Sequence, residues 1–125
     1  MTKRILVIDD ENDMRVYLGT LFRKAGYEVE AAANGEEGVS LARANKPDLV
    51  TLDVLMPKKS GLRAYKELRT TAETADVPII ILTGLTQQED FFGDDLGDLA
   101  RPNAIVEKPI DRDEFLKKAK EVMGE

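Results

Sequence analysis

In the segment Ile5-Leu6-Val7-Ile8-Asp9-Asp10, four consecutive apolar residues lead directly into two acids, a pattern typical of a buried strand that ends at a polar site. Four more short apolar runs follow it along the chain, at residues 29–33, 49–52, 77–82 and 104–106. Most of the five runs are continuous rather than alternating in polarity, which is typical of strands that are covered on both faces of a parallel sheet. The run at 29–33 is the weakest of the five, since it consists mostly of alanine.

Helical patterns fill the gaps between these runs. Apolar residues between positions 14 and 25 recur at spacings of three and four, and Gly26 stands where a glycine commonly ends a helix. Asn34 is a suitable cap for a second helix that runs to about residue 44. Further helices are predicted from Ser60 or Gly61 onward, at 87–99 and at about 111–123. The helix at 87–99 is the least regular, because glycines interrupt it.

Five repetitions of strand and helix predict an α/β fold. Right-handed crossovers between the strands give a doubly wound, five-stranded parallel sheet with helices on both faces. The 125 residues suffice for one domain, and no repeat, linker or low-complexity tract divides them. In sheets of this kind ligands bind at the carboxyl ends of the strands, so the residues that follow each strand are candidates for a functional site.

The composition excludes several classes of protein. The chain contains no histidine, so it can build neither a Ser-His-Asp triad nor a histidine zinc site, and the lack of cysteine excludes thiol chemistry and disulfides. Asp and Glu number 24 against 18 for Lys and Arg, and the net charge of −6 argues against DNA or an anionic membrane as the main partner. No apolar stretch is long enough for a signal peptide or a membrane span, so we expect a cytoplasmic protein.

Acidic residues follow two of the predicted strands. Asp9 and Asp10 come directly after the first run, and Asp53 comes directly after the third. Because the carboxyl ends of parallel strands meet at one edge, we expect three carboxylates that would raise one another's pKa unless a cation joined them. Mg2+ prefers oxygen ligands of this kind, with Asp10 and Asp53 binding directly and Asp9 partly through water.

A hydroxyl and an ammonium group complete the predicted site. Thr83 ends the fourth strand, and Lys108 lies just past the fifth. Each can hold an oxygen of a phosphoryl group, which suits phosphoryl transfer better than a bare metal site. Asp53 is then the nucleophile that forms an aspartyl phosphate. A phosphohistidine donor would have to come from a partner, since this chain has no histidine.

The chain resembles the receiver domain of two-component response regulators of the chemotaxis-regulator type, over essentially its whole length. Five motifs carry the resemblance, in the order and at the intervals of that family: Ile5-Leu6-Val7-Ile8-Asp9-Asp10-Glu11, Leu52-Asp53-Val54-Leu55-Met56-Pro57, Ser60-Gly61, Leu82-Thr83 and Lys108-Pro109. Each motif is weak alone, but the five together are very specific. The resemblance implies a flavodoxin-like (βα)5 fold with strand order 2-1-3-4-5 and a single receiver domain over residues 1–125.

The resemblance also implies a role for each acidic residue of the site. Asp53 would accept the phosphate, and Mg2+ would be the cofactor. Asp9 and Asp10 would hold the ion together with Asp53, and the backbone carbonyl of Leu55 would be a further ligand.

The implied function is a phosphorylation-controlled signalling switch. Thr83 would be the switch hydroxyl and Lys108 the salt-bridge partner of the phosphate, with a cis peptide bond before Pro109. The phosphoryl group would come from a histidine kinase or a histidine phosphotransfer protein. The chain would catalyse only its own phosphorylation and dephosphorylation, and it would signal to a downstream protein through the surface of the fourth helix, fifth strand and fifth helix.

Several alternatives stay open at this point. The family commonly places Tyr or Phe three residues before the lysine, but this chain has Ile105 there. One alternative is therefore an interaction module with a receiver fold and little or no phosphorylation-dependent output. A phosphatase of the haloacid dehalogenase type is disfavoured, because Leu55 stands where that family needs a second acid. The chain could be a complete regulator, a phosphorelay intermediate or a receiver excised from a multidomain regulator, and the Met1 start with no trailing linker favours the first two. The sequence does not specify the kinase, the signal, the downstream target or the oligomeric state.

Overall fold

A computed structural model of the protein describes residues 2–53, 60–84 and 101–125. Within these residues five strands form one sheet: β1 Arg4–Ile8, β2 Glu28–Ala32, β3 Leu49–Asp53, β4 Ile79–Thr83 and β5 Ala104–Glu107. They pair in the order β2-β1-β3-β4-β5, and each of the four pairings is parallel. The predicted parallel sheet and its strand order are therefore confirmed.

Four helices lie within the described residues: α1 Asn12–Lys24, α2 Gly35–Ala44, α3 Ser60–Thr70 and the C-terminal helix Arg112–Val122. Helices α2 and α3 cover one face of the sheet, and α1 and the C-terminal helix cover the other, as expected for a doubly wound fold. The helix predicted at 87–99 lies outside the described residues. Among the four helices, none is both long and apolar enough to cross a membrane.

Successive residues of the central strands face opposite sides of the sheet. In β1, Leu6 and Ile8 pack in the core beneath α2 and α3, whereas Ile5 and Val7 pack in the core beneath α1 and the C-terminal helix. Every residue of β3 and β4 is buried as well. A strand that is covered on both faces needs apolar residues at consecutive positions, which explains why these runs are continuous.

The edge strand β2 is only half-buried, in keeping with its weak apolar pattern. Glu28 and Glu30 lie on this strand, and Arg4 of the neighbouring β1 pairs with both of them. The Nη2 atom of Arg4 lies 3.4 Å from Glu28 Oε2, and its Nε atom lies 3.9 Å from Glu30 Oε1. The outer boundary of the sheet is thus charged on this side.

Strand β4 begins at Ile79, two residues later than the apolar run suggests. The N–H of Val77 donates to the carbonyl oxygen of Thr74 at 3.1 Å, so a turn uses this donor. Pro78 has no N–H to donate to a neighbouring strand. The backbone chemistry of these two residues therefore delays the strand, although Val77 is buried.

The ends of the helices agree with the sequence predictions. Gly26 follows α1 with a φ of 99°, a left-handed conformation that glycine adopts without strain. Asn34 caps α2, because its Oδ1 atom accepts a 2.8 Å hydrogen bond from the N–H of Glu37. Asp111 caps the C-terminal helix in the same way and accepts from the N–H of Glu114 at 3.0 Å.

Helix α2 approaches β1 closely at Gly38. A Cβ atom at this position would overlap the side chain of Ile8, and it would lie 2.7 Å from Ile8 Cγ1 and 3.2 Å from Cγ2. Ile8 is fully buried and directly precedes Asp9, so its side chain has little room to move. Gly38 therefore sets how closely α2 packs against the strand that leads to Asp9.

Gly38→Ala is expected to lower the free energy of unfolding by about 1–3 kcal/mol, the usual cost of overpacking a core. Ile8→Val removes the Cδ1 atom that lies nearest to the new methyl group, so the double variant should lose less stability than the two single variants together. Urea denaturation of the four proteins gives the double-mutant cycle. Additive losses would contradict a direct contact between these two positions.

Arg69, near the end of α3, joins three parts of the chain. Its guanidinium donates to the carbonyl oxygens of Ala75 at 3.0 Å and Val77 at 2.7 Å, and to Asn103 Oδ1 at 2.9 Å. The guanidinium carbon also lies 5.3 Å from the ring centroid of Tyr65, and Nε donates to the hydroxyl of that residue at 3.2 Å. We call this group of five residues the Arg69 clasp. It holds the loop before β4 and the start of β5 against α3.

Arg69→Met is expected to lower the free energy of unfolding by about 2–3 kcal/mol, because it leaves partly buried carbonyl groups without a donor. Arg69→Lys should lose most of that stability too, since an ammonium group cannot reach all four acceptors. The matched control is Arg63→Gln on the same helix, whose side chain is 83% exposed. Urea denaturation in which Arg69→Met and the control lose equal stability would contradict the assigned role of the clasp.

Candidate functional site

Four polar side chains from four different strand ends lie at the carboxyl edge of the sheet. Asp9 directly follows β1, Asp53 is the last residue of β3, Thr83 is the last residue of β4, and Lys108 directly follows β5. The prediction that Asp53 follows its strand is wrong by one residue, because Asp53 still pairs with Leu82 of β4. Asp9 and Asp53 have no exposed surface, and Thr83 is 1% exposed.

Lys108 brings its ammonium group to both buried carboxylates. Its Nζ atom lies 3.4 Å from Asp53 Oδ2 and 4.0 Å from Asp9 Oδ2. The backbone N–H of Lys108 donates to the carbonyl oxygen of Thr83 at 2.9 Å, which fixes the loop after β5 to the end of β4. The peptide bond between Lys108 and Pro109 is cis, as the family resemblance implied.

Hydrogen bonds to the backbone N–H and to the side chain of Asp9 fix its position. Its N–H donates to the carbonyl oxygen of Ala32 at 3.1 Å, and its Oδ1 atom accepts from the N–H of Glu11 at 2.9 Å. The pKa of Asp9 is raised from 3.8 to about 6, and burial, which disfavours the charged carboxylate, is the largest cause. The hydrogen bond from Glu11 and the charge of Lys108 lower the pKa, whereas the neighbouring Asp53 raises it.

Four carboxylates converge around this position. Asp9, Asp10, Glu11 and Asp53 each place one carboxylate oxygen within 4.8 Å of the others. We call these four residues the acidic cluster. Asp10 and Glu11 are exposed, whereas Asp9 and Asp53 are buried, so the cluster opens toward solvent on one side.

The acidic cluster fits a hard divalent cation. Its donors are all carboxylate oxygens, and Asp9 Oδ2 is buried without a hydrogen-bond donor among the residues that the structure describes. Glu11 is a further candidate ligand that was not predicted from the sequence, although it is the third consecutive acid after β1. Leu55, whose carbonyl was the fourth predicted ligand, lies outside the described residues.

The hydroxyl of Thr83 donates to the carbonyl oxygen of Gly84 at 3.0 Å. It lies at the end of β4, where Thr83 pairs with Glu107 of β5. Two residues earlier in each strand, Ile81 pairs with Ile105, the residue at the usual aromatic position. Ile105 is half-buried and packs against the core beneath α2 and α3.

The chain is similar to known proteins over most of its length. The family model of the response regulator receiver domain matches residues 5–120. The curated protein PilH of Pseudomonas aeruginosa is 38% identical over 121 residues, which cover 97% of this chain and 98% of PilH. Protein Rrf1 of Nitratidesulfovibrio vulgaris is 38% identical over 113 residues, which cover 89% of this chain and 75% of Rrf1.

Solved structures give the same result. The chemotaxis protein CheY4 of Vibrio cholerae has a TM-score of 0.86 at 28% identity, with 98% of this chain and 99% of CheY4 covered. The receiver domain of the sensor histidine kinase PA1611 from Pseudomonas aeruginosa has a TM-score of 0.84 at 28% identity, with both chains covered completely. That structure contains a magnesium ion coordinated in its active site cleft.

The raised pKa of Asp9 predicts how stability depends on pH in the absence of metal. The folded protein holds the Asp9 proton up to a higher pH than the unfolded chain does, so this group's contribution to stability falls as the pH rises from about 4 to about 6. The asparagine of the variant Asp9→Asn does not titrate, so this variant lacks the pH-dependent contribution. Relative to the wild type, this variant should therefore gain about 1 kcal/mol in the free energy of unfolding between pH 5 and pH 7.

Urea denaturation of both proteins in a chelator at the two pH values measures this difference. Asp76→Asn, which changes an exposed acid, is the matched control and should track the wild type. Equal pH dependence of Asp9→Asn and the wild type would contradict a raised pKa at Asp9.

Proposed function

This chain belongs to the family of response regulator receiver domains, and from that premise we propose that it is switched by phosphorylation of Asp53. Receiver domains are signalling modules rather than enzymes that turn over a small-molecule substrate. We propose that residues 1–125 form one such domain and that it works in the cytoplasm. The donor would be the phosphohistidine of a histidine kinase or of a histidine phosphotransfer protein.

One observation carries the proposal for the site. The ammonium group of Lys108 lies 3.4 Å from Asp53 Oδ2, at the same sheet edge as the acidic cluster and the Thr83 hydroxyl. A carboxylate with a cation on one side and metal-binding oxygens on the other suits attack on phosphorus, because negative charge develops on the transferred oxygens.

The transfer forms a bond between phosphorus and a carboxylate oxygen of Asp53. The bond from phosphorus to the donor's imidazole nitrogen breaks, and the imidazole leaves with its electron pair. Lys108, which lies 3.4 Å from Asp53 Oδ2, would pair with a phosphoryl oxygen once Asp53 is phosphorylated. In the later hydrolysis, water would attack phosphorus, the bond from phosphorus to Asp53 would break and the carboxylate would be restored; the same groups would catalyse this step, so the chain would act only on its own phosphorylation state.

Mg2+ bound among Asp9, Asp10 and Asp53 would neutralise charge on the phosphoryl oxygens. Glu11 is within reach of the same position, and the carbonyl of Leu55 is proposed as a further ligand. The geometry of the acidic cluster and the magnesium ion in the PA1611 receiver support this assignment.

Thr83 is proposed as the group that converts phosphorylation into a change of shape. Its hydroxyl donates to the Gly84 carbonyl, and rotation about χ1 would redirect it to a phosphoryl oxygen on Asp53. The backbone N–H of Lys108 donates a hydrogen bond to the Thr83 carbonyl oxygen, and this bond would couple a movement of Thr83 to β5. We propose that the downstream protein binds the surface made by β5, the C-terminal helix and the helix predicted at 87–99.

The experiment that tests this function is the intact mass of the protein after incubation with acetyl phosphate and Mg2+. We expect one phosphate adduct that disappears with Asp53→Asn and with a chelator. Asp76→Asn, an equal change at an exposed acid, should be labelled like the wild type.

A wild-type protein that gains no phosphate, under conditions that label another receiver domain, would contradict the proposal. The chain would then be an interaction module with a receiver fold. An adduct that persists in Asp53→Asn would instead contradict the assignment of the phosphoacceptor.

A further inference from the structure

Arg15 lies in the first turns of α1 and contacts the turn that carries the acidic cluster. Its Nη1 atom donates to the backbone carbonyl oxygen of Asp9 at 2.8 Å, and its Nη2 atom donates to Asn12 Oδ1 at 3.3 Å. Its backbone N–H donates to the carbonyl oxygen of Glu11 at 3.1 Å. The residue is half-buried, and its side chain holds the Asp9 end of the turn from Asp9 to Glu11, whereas its bond to Glu11 is an ordinary backbone bond of the helix.

This turn lacks the usual support of a helix start. Glu11 is the N-cap of α1, but its side chain makes no capping hydrogen bond. The N–H of Glu11 donates instead to Asp9 Oδ1, so the turn is closed by an acid that also belongs to the acidic cluster. The hydrogen bond from the Arg15 side chain to the Asp9 carbonyl oxygen joins the backbone of this turn to helix α1.

We propose that Arg15 is a positioning residue for the metal-binding turn. This inference rests on the proposed function, because it assumes that the acidic cluster binds Mg2+. Three of the four carboxylates of the cluster come from the consecutive residues Asp9, Asp10 and Glu11. Their approach to Asp53 depends on the conformation of this one turn, and Arg15 restricts that conformation through its hydrogen bond to the Asp9 carbonyl.

The positive charge of Arg15 and its hydrogen bond to the turn have opposite effects on the affinity for Mg2+. A guanidinium next to the acidic cluster repels Mg2+, so removing the charge alone would strengthen binding. Removing the hydrogen bond loosens the turn and weakens binding. The sign of the change in Mg2+ affinity therefore distinguishes a positioning role from a purely electrostatic one.

The test is calorimetric titration of the full chain with Mg2+. Arg15→Gln is expected to weaken binding roughly tenfold, the usual effect of removing a contact that orients metal ligands. Arg15→Lys keeps the charge, and with it the repulsion of Mg2+, but it cannot make both side-chain hydrogen bonds, so its affinity should fall below that of the wild type. Arg63→Gln is the control, because it removes the same charge from a side chain that is 83% exposed.

A second readout requires no metal. In a chelator, the amide hydrogen of Glu11 should exchange with solvent faster in Arg15→Gln than in the wild type, while amides of the central strand β3 keep their rates. This measurement also shows that the variant is folded. If Arg15→Gln does not fold, Arg15→Lys carries both measurements.

Binding by Arg15→Gln that equals or exceeds that of the wild type would overturn the inference and leave the proposed function intact. An equal loss in Arg63→Gln would show that the effect does not depend on the contact between Arg15 and the turn, and it would overturn the inference too. A wild-type protein that binds Mg2+ no better than Asp53→Asn does would contradict the proposed metal site itself.

Discussion

Two buried carboxylates at neighbouring strand ends are an energetic cost around which the carboxyl edge of the sheet is built. Asp9 and Asp53 have no exposed surface, and each loses hydration while it repels the other. The ammonium group of Lys108, at 3.4 Å and 4.0 Å from them, offsets part of this cost. The backbone of Lys108 is fixed by the carbonyl of Thr83, and Asp9 is fixed by the N–H of Glu11. The loops at this edge are thus arranged around two charges that the sheet brings together.

The sequence predicts features that depend on residues close together in the chain. The continuous run at 5–8 implies two covered faces, and Gly26 marks the end of a helix because its backbone freedom acts within one turn. The Arg69 clasp and the approach of Glu11 to Asp53 could not be predicted in this way. They depend on how far side chains reach between elements that are distant in sequence, which local patterns do not encode. The chemical roles of the site residues rest on the family resemblance and remain proposals.

Strand β5 is attached to β4 at both ends. At its start, Asn103 exchanges two hydrogen bonds with the backbone of Ile79, at 2.9 Å and 3.0 Å. At its end, the N–H of Lys108 donates to Thr83. Ile105 lies between these two attachments and presents an aliphatic side chain to the core. The proposed movement of Thr83 would therefore have a main-chain route to β5 that does not involve the side chain at position 105.

The charged boundary along β2 affects how copies of this protein meet. An open sheet edge offers unpaired backbone groups to any extended chain, including the same strand of another molecule. Here Glu28 and Glu30 lie on that edge, with Arg4 already engaged by both. A second copy that added its own β2 would bring its glutamates next to these at close range. Like-charge repulsion would therefore oppose the pairing of two β2 edges, and among the described residues the charges that produce it lie on β2 itself.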